Sequence, residues 1–231
     1  MTYTELVSAI QTYTENQFPV TYLADGTPVD STTQINRFIE QAEQRIYNSV
    51  QFPSLRKNVT GTTTSSNKYL QCPSDFLAVY SMAVINPTTS EYEYLLNKDV
   101  NFIRAGYPNP ADTGIPKYYA LFGPRSDDEK ELSFILGPTP AAAYSVELHY
   151  FYYPESITTV ASGRTWLGDN FDSVLFYGAL VESATYMKQE QDIVALYNQK
   201  YQEALALAKR LGDGMERQDA YRSGQYRQAV T

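Results

Sequence analysis

The chain has 231 residues and a mass of 26.1 kDa, with 43% hydrophobic and 19% charged residues, which is enough apolar material for one large or two small domains and excludes disorder as a class. Its formal charge of −8, with a pI of about 4.7, argues against clamping nucleic acid, because such binding needs a basic stripe against the phosphates. Cys72 and His149 are the only residues of their kinds, which excludes an intrachain disulfide, a Cys-based zinc site and most His-dependent metal sites, and leaves a Cys–His dyad as the one thiol option.

The first predicted element is a helix opened by Thr2 and Glu5, whose spacing fits a capping box. Leu6, Ile10 and Tyr13 share one face of it, and Phe18-Pro19 ends it. The first thirty residues carry Glu5, Glu15, Asp25 and Asp30 and no lysine or arginine, so no signal peptide is expected. Turn signals at Asp25-Gly26 and Thr27-Pro28 precede a second helix, capped by Asp30 or Ser31. Ile35, Phe38, Ile39, Ala42, Ile46 and Tyr47 form its stripe, and Phe52-Pro53 stops it.

From Asn58 the residues turn to Thr, Val and Tyr. Residues 59–64 and 68–72 flank a Ser-Ser-Asn turn and predict a hairpin. Residues 76–85 predict a buried strand; this run, the longest apolar one, is far short of the ~18 residues of a membrane span. A strand is expected at 92–96 and a short helix capped by Asp99 at 99–103. Further strands are expected at 117–122, 132–136 and 145–153; in the last, Val146, Leu148, Tyr150 and Tyr152 alternate with Glu147, His149, Phe151 and Tyr153.

The helical period returns after Trp166. One helix, capped by Asp169, carries Phe171, Val174, Leu175, Gly178, Val181, Ala184 and Met187. Another, at 191–211, carries Ile193, Tyr197, Tyr201, Ala204, Leu205, Ala208 and Leu211 and is expected to stop at Gly212 and Gly214. The remainder is poor in apolar residues and slightly basic, with Arg217, Arg222 and Arg227 against Glu216 and Asp219. The predicted fold class is therefore α+β. The N- and C-terminal helix pairs (1–57 and 164–212) form a four-helix bundle around a central antiparallel β-rich insertion (58–163), followed by an extended C-terminal arm (213–231).

Chemistry-bearing motifs are sparse. There is no phosphate-binding glycine loop, nucleophile elbow or zinc-binding helix motif. His149 sits in an aromatic strand and Cys72 before a proline, both read as packing residues. Asp127, Asp128 and Glu129 read as a solvated acidic tip rather than a cation site. Asp169, Asp172 and Glu182 lie along one helix, where Asp169 reads as a cap and Asp172 as a first-turn residue favoured by the helix dipole. No catalytic, cofactor-binding or metal-binding residue is expected. The 21 tyrosines, which combine apolar area with a polar tip, suit either half-buried strands or surfaces buried against other proteins.

Several segments in order resemble the head-to-tail adaptor proteins of tailed phages, a family that includes the tail tubular proteins of short-tailed phages. They are Phe52-Pro53-Ser54-Leu55-Arg56, Tyr69-Leu70-Gln71-Cys72-Pro73-Ser74-Asp75-Phe76-Leu77, Gly114-Ile115-Pro116-Lys117-Tyr118-Tyr119, Leu136-Gly137-Pro138-Thr139-Pro140, Tyr152-Tyr153-Pro154, Thr165-Trp166-Leu167 and Tyr177-Gly178-Ala179-Leu180-Val181-Glu182-Ser183-Ala184. The resemblance implies a non-enzymatic ring of copies, twelve-fold in the family, bridging the portal protein to the tail nozzle or tube protein, with double-stranded DNA passing through the lumen and no membrane contact. An acidic lumen would let phosphates slide without sticking. Under this reading Arg217, Tyr221, Arg222, Tyr226 and Arg227 are candidates for portal contact, and Ser65, Ser66, Asn67, Asp127, Asp128 and Glu129 for tail contact. The competing class is a carbohydrate- or receptor-binding tail module, which predicts a cleft of aromatic rings on the strands.

Overall fold

A computed structural model describes the backbone over residues 1–123 and 132–222 and the side chains over 1–123 and 132–212. In chain order the elements begin with α1 (Tyr3–Thr14), β1 (Thr21–Tyr22), β2 (Pro28–Val29) and α2 (Ser31–Ser49). Next come β3 (Arg56–Thr62), β4 (Tyr69–Gln71), β5 (Ala78–Ile85), β6 (Tyr92–Tyr94), β7 (Leu96–Asn97), α3 (Val100–Gly106) and β8 (Thr113–Gly114). Then follow β9 (Tyr118–Phe122), β10 (Ser133–Gly137), β11 (Thr139–Pro140), β12 (Ser145–Phe151), α4 (Trp166–Asn170), α5 (Asp172–Tyr186) and α6 (Gln191–Arg222). The fold class is α+β. The chain divides into two compact units, Met1–Ser54 with Pro154–Thr231, and Leu55–Tyr153.

The first unit is helical apart from the short β1–β2 hairpin. Thr2 and Glu5 close the capping box of α1, and the Asp30 carboxylate accepts the Thr33 N–H at 2.8 Å to cap α2. The whole predicted stripe of α2 is buried, together with Gln34 and Glu43. In α1 the buried face is Leu6, Ile10 and Thr14; Tyr13 is instead 56% exposed and meets Phe176 edge-on. Helix α5 is buried on almost every side and packs against α1, α2, α4 and α6. Gly178 permits this: a Cβ there would lie 3.1 Å from the Ala42 Cβ and 3.3 Å from the Tyr201 ring.

Two predictions for this unit are corrected. Asp169 caps nothing: Thr165 caps α4 by accepting the Gly168 N–H at 3.2 Å, and α5 starts behind Phe171 without a side-chain cap. Asp169 instead takes the Arg164 guanidinium at 3.0 Å. Gly212 and Gly214 do not end the last helix, which runs on to Arg222. Gly212 sits tight against Val50 and Gln51, where a Cβ would meet the Gln51 carbonyl oxygen at 3.2 Å, so it is a packing glycine inside the helix. Residues 213–222 are thus helical rather than an extended arm.

The second unit contains two four-stranded sheets, β3-β12-β5-β6 and β4-β10-β9-β7, sharing one core. Val146, Leu148, Tyr150, Met82 and Val84 from the first meet Tyr119, Phe134 and Leu136 from the second, with Phe76, Leu95 and Tyr144 between. Strand β10 is buried on both faces, because α3 covers the other side through Ile103 against Ala120 and Ile135. Pairing is antiparallel apart from two short parallel pairs, β7 with β9 and β8 with β11, so the insertion is not purely antiparallel.

The predicted hairpin at 59–72 does not form. Strand β3 pairs with β12 and β4 with β10, so the turn between them is an arch from one sheet to the other. Its anchor is Thr63, 3% exposed, whose hydroxyl donates to the Ala142 carbonyl at 3.1 Å and accepts the Tyr144 N–H at 2.9 Å. The strand expected at 92–96 likewise crosses between sheets, with Leu95 as its buried pivot. Of the residues 76–85 expected as a buried strand, Phe76 is buried ahead of β5, and within β5 only Met82, Ala83 and Val84 are buried.

Candidate functional site

The predicted chemical groups do not converge. Cys72 lies in the core between the sheets, on the same side as Leu148, whereas His149, the next residue on β12, faces outward and contacts the Ser81 hydroxyl at 3.4 Å. A Cys–His dyad is therefore not formed. Asp169, Asp172 and Glu182 each have their own local partner: Arg164, the Ser173 N–H at 2.7 Å, and the Arg45 guanidinium. Among the described residues no three metal-ligating side chains come together.

Of the tail-facing candidates, Ser65, Ser66 and Asn67 form the tip of the inter-sheet arch. Ser65 and Ser66 are exposed and Asn67 half-buried. The Ser65 hydroxyl donates to the Ala141 carbonyl at 2.9 Å, the Ser66 N–H to the Pro140 carbonyl at 2.8 Å, and Ser66 has φ +61°. The tip is thus exposed but fixed by its own hydrogen bonds. Asp127, Asp128 and Glu129 lie outside the described residues. Of the portal candidates, Arg217, Tyr221 and Arg222 lie on the last turns of α6, with Arg217 and Tyr221 one turn apart; Tyr226 and Arg227 lie outside the described residues.

Beside the arch, a cavity of about 400 Å³ opens between the edge strands β3 and β4. Val59, Leu70, Cys72, Phe134, Val146 and Leu148 line it. None of the exposed tyrosines of this unit, Tyr69, Tyr80, Tyr92, Tyr94 and Tyr153, is among its lining residues, so the cleft of aromatic rings that a sugar-binding module requires is not built there. Arg56 instead lies 4.8 Å over the Tyr80 ring and 5.7 Å from that of Phe151, on the outer face of the sheet.

Two carboxylates, Asp75, half-buried, and Glu43, buried, escaped the sequence reading. Asp75 takes the Lys57 ammonium at 2.7 Å and the Tyr150 hydroxyl at 2.8 Å. Burial alone would raise its pKa, but these two hydrogen bonds outweigh it and hold the carboxyl below its ordinary value. Glu43, 3% exposed on α2, accepts the Ile157 N–H at 3.0 Å. Burial raises its pKa against the opposing hydrogen bonds from Ser156 and Ile157. The only signal in the sequence was negative, an acidic residue within the apolar stripe between Ala42 and Ile46. Both carboxylates tie loops to regular elements.

No helix among the described residues is long and apolar enough to cross a membrane. No curated protein matches the chain. The profile of the SU10 adaptor protein family matches residues 1–228, nearly its whole length. The ordered segments that resemble phage head-to-tail adaptors and this full-length match agree: the chain belongs to the SU10 adaptor protein family.

Proposed function

We propose that the protein is a structural component of a tailed-phage virion, a head-to-tail adaptor whose copies form a ring, twelve-fold as in the resembling family, between the portal and the tail. The full-length family match carries this reading. The helical unit, read as a four-helix bundle of the terminal helix pairs, docks towards the portal through Arg217, Tyr221, Arg222, Tyr226 and Arg227. The β-rich unit meets the tail through Ser65, Ser66 and Asn67 and through Asp127, Asp128 and Glu129. The fixed geometry of the 65–67 tip supports the tail contact, since a pre-ordered loop loses little entropy on docking. The mechanism is geometric: one ring is matched to the next, and genome DNA passes through an acidic lumen without specific binding. The net charge of −8 per copy supports that last point.

The test is mass photometry of the purified chain, alone and mixed with the cognate portal ring. Addition of about twelve copies per portal is expected from the family's ring symmetry. A double variant, Arg217→Glu with Arg222→Glu, should keep its circular dichroism and melting temperature and lose portal binding. No association of the unaltered chain with the portal refutes the adaptor reading.

A further inference from the structure

Helix α6 carries more apolar surface than its own unit covers. Tyr201, Leu205 and Ala208 point into the core. Beside them Ile193, Leu196, Leu207 and Leu211 are 37%, 53%, 64% and 48% exposed. At 100° per residue these four fall within an arc of about 60°, and they extend for about 27 Å along the helix. A surface helix normally has one apolar stripe; this one has a second, left to solvent. By the same count Glu203 lies halfway along the stripe at its edge, about 20° outside the arc, and pairs at 3.1 Å with Lys200, which falls inside it.

The same unit holds a groove that fits such a stripe. It has a volume of about 510 Å³ and lies between the β1–β2 hairpin, α2 and α5. Tyr22 and Leu23, 72% and 46% exposed, form its outer wall, and Phe38 and Tyr186 line it. The wall is held in place by Gln34, whose amide donates to the Pro19 and Val29 carbonyls at 3.0 and 3.1 Å and accepts the Tyr186 hydroxyl at 3.2 Å. Arg37 also lines the groove and makes no ion pair among the described residues, unlike Glu182, which is neutralised by Arg45. With Gln41 and Thr185 also in its lining, the groove can take an amphipathic helix that brings aliphatic residues at turn spacing and a carboxylate beside them.

We propose that the groove of one copy receives the exposed α6 stripe of a second copy, with Glu203, at the edge of the stripe, facing Arg37 of the groove. Groove and stripe are different patches, so the contact is head-to-tail, the kind that repeats around a ring. The inference rests on the ring reading above and names the surfaces that would form the ring.

The experiment uses the full chain with Tyr22→Cys and Leu207→Cys; the native Cys72 is buried. A short bismaleimide is added at high protein concentration, alone and on the portal ring. The double variant should give a ladder of linked multimers, and a mixture of the two single variants only dimers. Arg37→Glu should lower the linking rate about fivefold, as for a surface charge pair, and Glu203→Arg should restore it. Absence of linked species, with both introduced thiols reactive towards a monofunctional maleimide, overturns the proposal. So do dimers from Leu207→Cys alone, which would mean that α6 pairs with itself, or links to the portal in place of the ladder. A ladder without portal binding keeps this interface and refutes the adaptor reading; portal binding without a ladder does the reverse.

Discussion

Glu43 separates two roles that a buried carboxylate can play, charge and hydrogen-bond geometry. Its side chain is buried in α2 and accepts the N–H of Ile157, itself 1% exposed. Glu43→Ala leaves that N–H without an acceptor, at about 1–3 kcal/mol, and opens a small cavity besides, for a total of about 2–3 kcal/mol. Glu43→Gln keeps an acceptor oxygen in place and removes the charge that burial disfavours, so its stability at pH 7 should equal or exceed that of the unaltered protein. Trp166, the only tryptophan, lies in the same unit, packed on Phe52 and Phe171 at 5.2 and 5.4 Å, so its fluorescence in urea reports the relevant unfolding. With a slope of about 2 kcal/mol/M, the Ala variant should lose about 1 M in midpoint and the Gln variant essentially nothing. The pH dependence has a definite sign. A carboxyl raised in the folded state holds its proton more tightly there, so the unaltered protein gains stability as pH falls from above the raised value towards the ordinary carboxylate value, and the Gln variant lacks this gain. A Gln variant as unstable as the Ala variant at pH 7 would refute the reasoning, because it would make the charge itself the stabilising feature.

Asp75→Asn should cost about 1 kcal/mol in a thermal melt, a modest figure because Asp75 and Lys57 are partly exposed. The Asp75 carboxyl is lowered in the folded state, so its contribution is full above the ordinary carboxylate value and is lost as pH falls through the lowered one; the Asn variant should lack that acid step, and an unchanged acid profile would count against the Lys57–Asp75–Tyr150 cluster. Thr63→Val keeps shape but leaves the Tyr144 N–H without its side-chain acceptor, at about 1–2 kcal/mol. Hydrogen exchange should quicken at Tyr144 and across the 65–67 tip; faster exchange confined to β4 would mean that the arch is held from elsewhere.

The helices were legible because their cause is local. The stripe from Ile35 to Tyr47 and the caps at Thr2, Asp30 and Asp99 are read from residues within a few positions of one another, and the structure keeps them. Where local signals serve two geometries, the sequence reading took the wrong one. A Ser-Ser-Asn turn between two β-rich runs suits a hairpin or an inter-sheet arch; Thr63, bonded to Ala142 and Tyr144, decides for the arch. Gly212, read from the sequence as a helix stop, is instead a close contact, because Val50 and Gln51 pack against it.

The sequence by itself determined the class of the protein: helical periods at both ends, a period of two in the middle, one cysteine, one histidine and the ordered segments that mark an adaptor. Only the tertiary structure decided that Cys72 and His149 face opposite sides of a sheet, that Glu43 and Asp75 are anchors, and that α6 exposes a second apolar stripe beside its buried one. Periodicity reports which residues are apolar, and it takes the positions of neighbouring elements, fixed by contacts distant in sequence, to determine which of them are covered.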